Sequence, residues 1–346
     1  MLMDTLKQLC LLPGVSGREE KVRAFIAERA GRYGECRTDA LGNLIVTRRG
    51  RKRPVVPVML DAHMDEVGFI ITGVTEEGYL RFAPVGGIDP AVVIARRVTL
   101  ESGLTGVINA KPVHLMEADE RKKIPKMSDL LIDIGAADKA EAEKHVHPGD
   151  TAVFDSGFAL FGNGLIRARA LDDRAGCAIL LRLLEEEPAY DLTFTFTVQE
   201  EVGLRGAKVA AFGVTPGAAI VLESTTAADL AGVSEDKRVC ALGKGPAVSF
   251  MDGATLYDGA YYRAALELGE RLGISCQPKA AVTGGNNAGA IHQAGKGVRT
   301  LALSIPCRYL HSPWCVAAQA DIEAAAALAG EAAARIAGGE WERAEG

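Results

Sequence analysis

Short apolar runs that end in acidic residues or histidine recur along this chain of 346 residues. Such runs, separated by helical patterns, are typical of buried strands in an α/β sheet that is covered on both faces. Five runs and the polar residues that follow them are 55–60 with His63 and Asp65, 166–171 with Asp172, 192–198 with Glu200 and Glu201, 218–222 with Glu223, and 301–305 with His311. Because ligands of open α/β sheets bind outside the carboxyl ends of the strands, we expect these side chains to meet in one place.

Helical patterns lie between these runs, and the first of them carries a start signal. Ser16 and Glu19 have the spacing of a capping box, which predicts a helix from residue 18 to about residue 32. Apolar periodicity predicts further helices over residues 177–184, 206–212, 257–272 and 317–337. The alternation of strands and helices predicts an α/β domain.

The segment between residues 67 and 164 has a different pattern. Short apolar runs alternate there with Gly and Pro, and no long helical period appears. This pattern predicts a small β-sandwich or barrel. The simplest division of the chain is an α/β domain formed by residues 1–66 and 165–346, interrupted by a β-rich domain over residues 67–164.

Composition and charge exclude several classes of protein. Lys and Arg number 39 against 45 Asp and Glu, a formal charge of −6, so the chain lacks the basic surplus that binds nucleic acid. No run approaches the roughly 20 apolar residues of a membrane span. The seven cysteines are scattered without a Cys-x-x-Cys pair, and we recognise no secretion signal at the N-terminus. We therefore expect reduced thiols and a cytoplasmic protein with neither nucleic-acid nor membrane partners.

The side chains at the strand ends suggest metal chemistry. Carboxylates and imidazoles together suit zinc, cobalt or manganese without any thiolate. Clustered carboxylates repel one another, and a divalent cation relieves that repulsion. Glu200 and Glu201 are adjacent, so on an extended backbone one can bind a metal while the other takes a proton from the attacking water. A single acidic strand end is more often a helix cap or a solvated charge, but five such ends favour a site.

Four segments, in order, resemble one known family. They are AHMDEVGF (62–69), ALDDRAGC (170–177), TVQEEVG (197–203) and YLHSP (309–313). Together they are similar to the M42 family of metallo-aminopeptidases, the glutamyl aminopeptidase or tetrahedral (TET) aminopeptidase group, and the similarity extends over nearly the whole chain.

The resemblance implies a mixed-sheet α/β metallopeptidase catalytic domain that holds two divalent metals, and an inserted β-rich dimerisation domain. Zinc and cobalt are the first choices for these metals, and manganese is the second. The roles implied by motif position are His63 and Glu223 on one metal, His311 and Glu201 on the other, Asp172 as the bridge, Glu200 as the general base, and Asp65 as the acceptor of the second ring N–H of His63.

The activity implied is that of a hydrolase, a metallo-aminopeptidase that removes the N-terminal residue from peptides with a free amine. A hydroxide shared by the two metals, formed when Glu200 accepts a proton from water, would attack the scissile carbonyl. The resemblance also implies a homo-oligomer in which dimers assemble to a dodecamer. Two places depart from the family pattern: Glu223 stands where many members have aspartate, and the Gly284–Asn287 segment ends in Asn-Asn where many have Thr-Asp.

Three other classes remain open on the residues alone. One is a related zinc carboxypeptidase or amide deacylase, which the glutamate at position 223 would allow. Another is a catalytically inactive metal-binding assembly protein, against which the intact Glu200 argues. The last is a glycosidase, for which the adjacent Glu200 and Glu201 are poorly suited because that reaction needs carboxyls flanking the sugar bond from different elements.

Overall fold

The computed structural model of the protein describes residues 2–119 and 121–342. The strands, in chain order, are β1 Glu35–Thr38, β2 Leu44–Arg48, β3 Val58–His63, β4 Gly68–Val74, β5 Leu80–Val85, β6 Arg97–Leu100, β7 Thr105–Asn109, β8 Leu131–Asp133, β9 Thr151–Phe154, β10 Ala159–Phe161, β11 Leu165–Ala168, β12 Leu192–Thr197, β13 Ala218–Thr226, β14 Ala247–Val248, β15 Gln277–Pro278, β16 Arg299–Arg308 and β17 Cys315–Ala318. The helices are α1 Leu2–Leu11, α2 Glu20–Ala30, α3 Lys139–Ala142, α4 Leu171–Glu185, α5 Arg205–Val214, α6 Gly259–Leu272, α7 Ala288–Ile291 and α8 Gln319–Ala337.

A mixed sheet of eleven strands forms the centre of the larger unit. Its main order is β1-β2-β12-β3-β13-β16-β17-β11-β10, with β14 and β15 attached at β16. The four central strands β12, β3, β13 and β16 run parallel, and antiparallel strands flank them. The predicted α/β class with a mixed sheet is confirmed. Since parallel strands end at the same edge, this order brings the predicted polar strand ends together.

Both faces of the sheet are covered, which explains why its central strands are apolar along their length. All six residues of β3 are buried. Val58, Leu60 and Ala62 face the core shared with α4 and α8, whereas Met59 faces the smaller core formed with α5 and α7. The alternation follows from the two-residue period of a strand.

The segment predicted to be β-rich forms a closed barrel. Its strand order is β4-β5-β8-β7-β6-β9. Phe69 packs edge-on against Phe82 and Phe154, with ring centroids 5.1 and 5.2 Å apart, and these rings centre a separate core. Strand β10 lies within the range 67–164 but pairs with β11 in the large sheet. The barrel strands themselves span residues 68–154.

Helix α1 is an element that the sequence patterns did not predict. It is buried through Leu6, Leu9 and Cys10. The fully buried guanidinium of Arg174 donates to the carbonyl oxygen of Leu9 at 2.5 Å and to that of Met64 at 2.7 Å. Arg174 therefore joins α1 to the segment that follows β3, beside the polar strand ends.

The predicted capping box is wrong. The hydroxyl of Ser16 donates to Oδ2 of Asp65 at 2.7 Å, and Glu19 makes no cap at the start of α2. Oε1 of Glu19 instead accepts from the backbone N–H of Gly17 at 2.7 Å and of Gln199 at 3.1 Å. Both side chains serve long-range contacts at the strand ends, which local spacing could not reveal. Within the described ranges, no helix has the length and apolar character needed to cross a bilayer.

Candidate metal centre

Six predicted side chains lie at the carboxyl edge of the parallel strands. His63 is the last residue of β3, and Glu200 and Glu201 follow the end of β12. The register explains this placement, because Thr197 of β12 lies opposite His63. The other three come from the middle of β13 (Glu223), the start of α4 (Asp172) and the connection between β16 and β17 (His311).

These side chains form two groups that share Asp172. Nε2 of His63 lies 3.4 Å from Oδ1 of Asp172 and 3.4 Å from Oε1 of Glu223. Nε2 of His311 lies 3.4 Å from Oδ2 of Asp172 and 3.2 Å from Oε1 of Glu201. The two oxygens of one carboxylate therefore face two different imidazoles, each with a glutamate of its own.

Asp173 also approaches this centre. Ligand atoms of His63, Asp173 and Glu223 lie within 4.8 Å of one another, as do those of His63, Asp172 and Glu201. However, Oδ1 of Asp173 accepts from the backbone N–H of Gly176 at 2.9 Å, and Oδ2 accepts from that of His63 at 3.3 Å. Since both oxygens already accept backbone donors, Asp173 fixes the start of α4 against β3, and Asp172 is the better candidate ligand.

The donor set fits a divalent cation. Oδ1 of Asp172, Oε1 of Glu201 and Oε2 of Glu223 are buried oxygens without a hydrogen-bond donor. A buried carboxylate oxygen left without a partner is costly, and a cation can supply the missing contact. Oxygen and imidazole ligands of this kind are those that zinc, cobalt and manganese accept.

The electrostatics of the centre favour positive charge. Burial alone would lower the pKa of His311, but the carboxylates of Asp172 and Glu201 raise it to about 11. Burial is the main cause that raises the pKa of Glu200 to about 8; the charge of His63 opposes this rise, and the charges of Glu201 and Asp172 add to it. Burial also raises the pKa of Glu223 well above its usual value. Closely spaced buried carboxylates thus create the negative potential that attracts a cation.

Asp65 lies behind His63, and its main chain and side chain make different contacts. Nδ1 of His63 is 3.1 Å from the backbone oxygen of Asp65 and 3.4 Å from its carboxylate Oδ1. The carboxylate mainly accepts backbone N–H groups, from Glu200 at 3.0 Å and Glu201 at 3.1 Å. Asp65 therefore contacts the imidazole through its main chain and holds the glutamate pair through its side chain.

The turn that carries the glutamate pair is fixed by two buried carboxylates. Successive backbone N–H groups of Gln199, Glu200 and Glu201 donate to Glu19, Asp65 and Asp65 respectively. The sequence patterns missed the contribution of Glu19 to this turn. Its signal was present but was interpreted locally, as the glutamate of a capping box, three positions after Ser16.

Left-handed backbone surrounds the centre. Ala170, Gln199, Tyr309 and His311 have φ angles of 54°, 56°, 60° and 56°. Positive φ is uncommon for residues other than glycine, and it concentrates at functional sites where the surrounding structure maintains it. Each of these residues is a candidate ligand or lies within two residues of one, which supports a functional assignment for this edge.

A cavity of about 470 Å³ opens over the centre. The wall contains Asp172, Glu200, Glu201, Glu223 and His311. Part of the glycine-rich loop (residues 284–287) and part of the connection from β5 to β6 also belong to it. Within that connection, the carbonyl oxygen of Gly87 lies 2.8 Å from Nδ1 of His311. A larger hollow of about 610 Å³ lies against α4 and α8 and contains none of the candidate ligands.

The glycine-rich loop is anchored by its two asparagines. The Asn287 amide donates to Oδ2 of Asp61 at 2.7 Å and to the Thr197 hydroxyl at 2.8 Å. The Asn286 amide donates to the Tyr257 hydroxyl at 3.0 Å. Asn287 therefore fixes the loop to β3 and β12, and Asn286 fixes it to the segment that precedes α6.

Comparisons with known proteins agree on one family. A family model described as M42 glutamyl aminopeptidase matches residues 42–328. A putative aminopeptidase of Acetivibrio thermocellus is 37% identical over 96% of this chain and 98% of its own length. A TET aminopeptidase from a marine-sediment archaeon of the Thaumarchaeota has a TM-score of 0.94 at 33% identity, and the match covers 99% of this chain and 98% of that one. The TET1 peptidase of Pyrococcus horikoshii has a TM-score of 0.85 at 37% identity, and the match covers 96% of this chain and 99% of that one. That peptidase can assemble into a tetrahedron or a large octahedral shell.

Proposed function

The chain belongs to the M42 family of aminopeptidases and is a metal-dependent hydrolase, and we propose that it uses two divalent cations with Glu200 as general base. The observation that carries this proposal is the position of Asp172 between His63 and His311, with one carboxylate oxygen facing each imidazole. A single carboxylate in that position suits a bridging ligand. The family match also favours an aminopeptidase over the deacylase and glycosidase alternatives.

We propose the ligand sets from these contacts. His63 and Glu223 would hold one cation, His311 and Glu201 the other, and Asp172 both. Zinc and cobalt are the preferred ions and manganese the next, because carboxylate oxygens and imidazole nitrogens accept all three.

The catalytic step assigned to this chain is a proton transfer. When bound, the cations would supply Lewis acidity, making a water acidic enough to react near neutral pH and polarising the scissile carbonyl. Glu200 accepts the proton of that water and returns it to the leaving amine. Its place in the cavity wall beside Glu201 and Asp172 suits this role. In the loaded site, one of the cations or a carboxylate that they leave free would hold the free α-amine of the peptide.

An assay of blocked and unblocked peptides tests the proposed reaction. The enzyme supplied with zinc, cobalt or manganese should release the N-terminal residue from peptides with a free amine. N-acetylated forms of the same peptides should react at least about a hundredfold more slowly, because a site built for a polar group rejects analogues that lack it. Removal of the metals with a chelator should abolish the reaction. Release of acetate from N-acetyl amino acids, with free peptides left intact, would instead support a deacylase.

The contact between Glu19 and the catalytic turn leads to a second prediction. Glu19→Ala removes the acceptor for the backbone N–H of Gln199, so the turn can shift and kcat should fall by roughly tenfold or more. Glu19→Gln keeps an acceptor oxygen and should recover most of the activity. Measured kcat, KM and metal content would separate a displaced Glu200 from a lost metal, since displacement lowers kcat with metal content unchanged. Glu20→Ala, at the exposed neighbouring position, is the matched control, and equal effects of the two alanine variants would contradict this role for Glu19.

We also propose that the chain forms a homo-oligomer through the barrel. The TET1 peptidase of Pyrococcus horikoshii, similar over its whole length, supports assembly. In this proposal residues 1–66 and 165–346 form the catalytic domain, residues 67–164 form the dimerisation domain, and dimers assemble to a dodecamer. All seven cysteines are free thiols, in keeping with the cytoplasm as the proposed compartment.

A further inference from the structure

Lys279 is a buried cation in the wall of the cavity over the metal centre. Its side chain is 4% exposed and lines the same cavity as Glu200 and His311. It follows strand β15, and its backbone N–H donates to the carbonyl oxygen of Val248 at 2.9 Å. The base of the side chain is therefore held by the sheet rather than by a free loop.

The charge of Lys279 has no carboxylate partner among the residues that the structure describes. Its Nζ donates one hydrogen bond, to the backbone oxygen of Thr283 at 3.2 Å. Across residues 2–119 and 121–342, no carboxylate oxygen lies within 4.0 Å of this nitrogen. An ammonium group has three donors, and burying it without an anion is costly. A buried ammonium group without an anionic partner, next to a reaction centre, indicates that its partner arrives with the substrate.

The charges around the cavity indicate the sign of that partner. Five carboxylates line the cavity. Those of Asp172, Glu200, Glu201 and Glu223 belong to the metal centre, and the fifth, that of the exposed Asp89, accepts from the backbone N–H of Ala91 at 2.8 Å. In the proposed function these four carboxylates are balanced by two divalent cations. Lys279 then remains as a buried positive charge that no carboxylate of the described residues contacts, whereas the charge of Asp89 is exposed to solvent, so the buried end of the cavity favours an anionic group.

The rest of the wall suits a side chain with an aliphatic stem and a polar end. Val92, Val239 and Leu310 supply apolar surface, and Thr225 and Thr226 line the same cavity from β13. A glutamate side chain has two methylene groups and a carboxylate, and this combination matches apolar walls that end at a lysine.

We propose that Lys279 binds the side-chain carboxylate of the substrate's first residue and makes the enzyme selective for peptides that begin with glutamate or aspartate. This inference rests on the proposed aminopeptidase function of the same cavity. It assigns to Lys279 the role of specificity determinant, separate from the candidate metal ligands and from Glu200.

A pair of matched peptides tests the inference on the unmodified enzyme. Glu-Ala-Ala amide and Gln-Ala-Ala amide have nearly the same shape and differ in charge at the first side chain, and the amide removes the terminal carboxylate. We expect kcat/KM for the glutamyl peptide to exceed that for the glutaminyl peptide by roughly ten- to a hundredfold. This ratio corresponds to the free energy that one hydrogen bond between charged groups contributes in a buried site. Equal values would overturn the inference.

Variants at position 279 link the preference to the side chain. Lys279→Met keeps the length and removes the charge, so the glutamyl-to-glutaminyl ratio should fall towards one, whereas Lys279→Arg should keep a clear preference for the glutamyl peptide. Lys296→Met, an exposed lysine outside the cavity wall, is the control and should keep the wild-type ratio. An Lys279→Met enzyme that loses activity on both peptides equally would overturn the assignment.

A different role for Lys279 predicts a different pattern. If it bound the far end of a short peptide, the wild type would prefer Ala-Ala-Ala over its C-terminal amide, and Lys279→Met would remove that preference; this result would overturn our proposal. If the proposed aminopeptidase function were wrong, the metal-loaded wild type would release no N-terminal residue from glutamyl, leucyl or lysyl peptides. Cleavage without glutamyl preference would reject only the role of Lys279.

Discussion

Replacing Glu200 with Gln should lower kcat by roughly 10²–10⁴-fold, the usual contribution of a general acid or base. The substitution keeps the shape of the side chain but removes its capacity to accept a proton. The backbone N–H of Glu200, which donates to Asp65, is unchanged, so the turn should stay in place. Because Glu200 is not among the proposed ligands, metal content should equal that of the wild type. Steady-state kinetics on an unblocked peptide, combined with elemental analysis, measure both quantities.

The control for this variant is Glu235→Gln, at an exposed position outside the cavity wall, which should retain wild-type kinetics. Two outcomes would contradict the role of Glu200. Turnover near the wild-type rate would show that Glu200 is not the group that transfers the proton. Loss of metal together with activity would instead make Glu200 a ligand.

Replacing Asp172 with Ala should impair metal binding as well as turnover. It removes the two oxygens that face His63 and His311, so binding at both proposed cation positions should weaken together. Lewis-acid stabilisation is worth several kcal/mol, so kcat/KM should fall by roughly 10³-fold or more. Activity and metal content should fall in parallel, as measured at increasing metal concentration.

An exposed aspartate supplies the control for this second variant. Asp236→Ala should leave both activity and metal content unchanged. Thermal unfolding of the Asp172→Ala protein would show whether it remains folded. A folded Asp172→Ala protein that keeps two tightly bound ions would exclude a bridging role for this carboxylate.

The location of the site could be predicted from the sequence because parallel strands have a simple geometry. Apolar strands β3, β12 and β13 lie side by side and run in the same direction. Any polar residue that follows such a strand must lie at the same edge of the sheet, whatever the connections between strands. His63, Glu200 and Glu201 follow their strands in this way, and Glu223 lies within β13.

The supporting contacts could not be predicted from local patterns. Ser16 and Glu19 have capping-box spacing, yet in the fold they contact Asp65 and Gln199. A capping box stabilises one helix end by roughly 1 kcal/mol, and buried hydrogen bonds to the catalytic turn contribute at least as much. The competition between these contacts depends on distances that exist only after folding.

Lys279 illustrates a second limit of sequence patterns. It follows a two-residue strand and precedes the glycine-rich loop, and no spacing rule marks it as a cavity residue. Only burial, and the absence of a carboxylate partner within the described residues, distinguish it from the exposed Lys296. A polar group that contacts the substrate rather than another part of the chain leaves no spacing pattern in the sequence by which it could be identified.

Anomalous diffraction from crystals of the zinc- or cobalt-loaded enzyme would locate the bound cations. Two peaks are expected in each chain, one beside His63 and Glu223 and the other beside His311 and Glu201, with Asp172 contacting both. A single peak, or peaks at other side chains, would contradict this expectation.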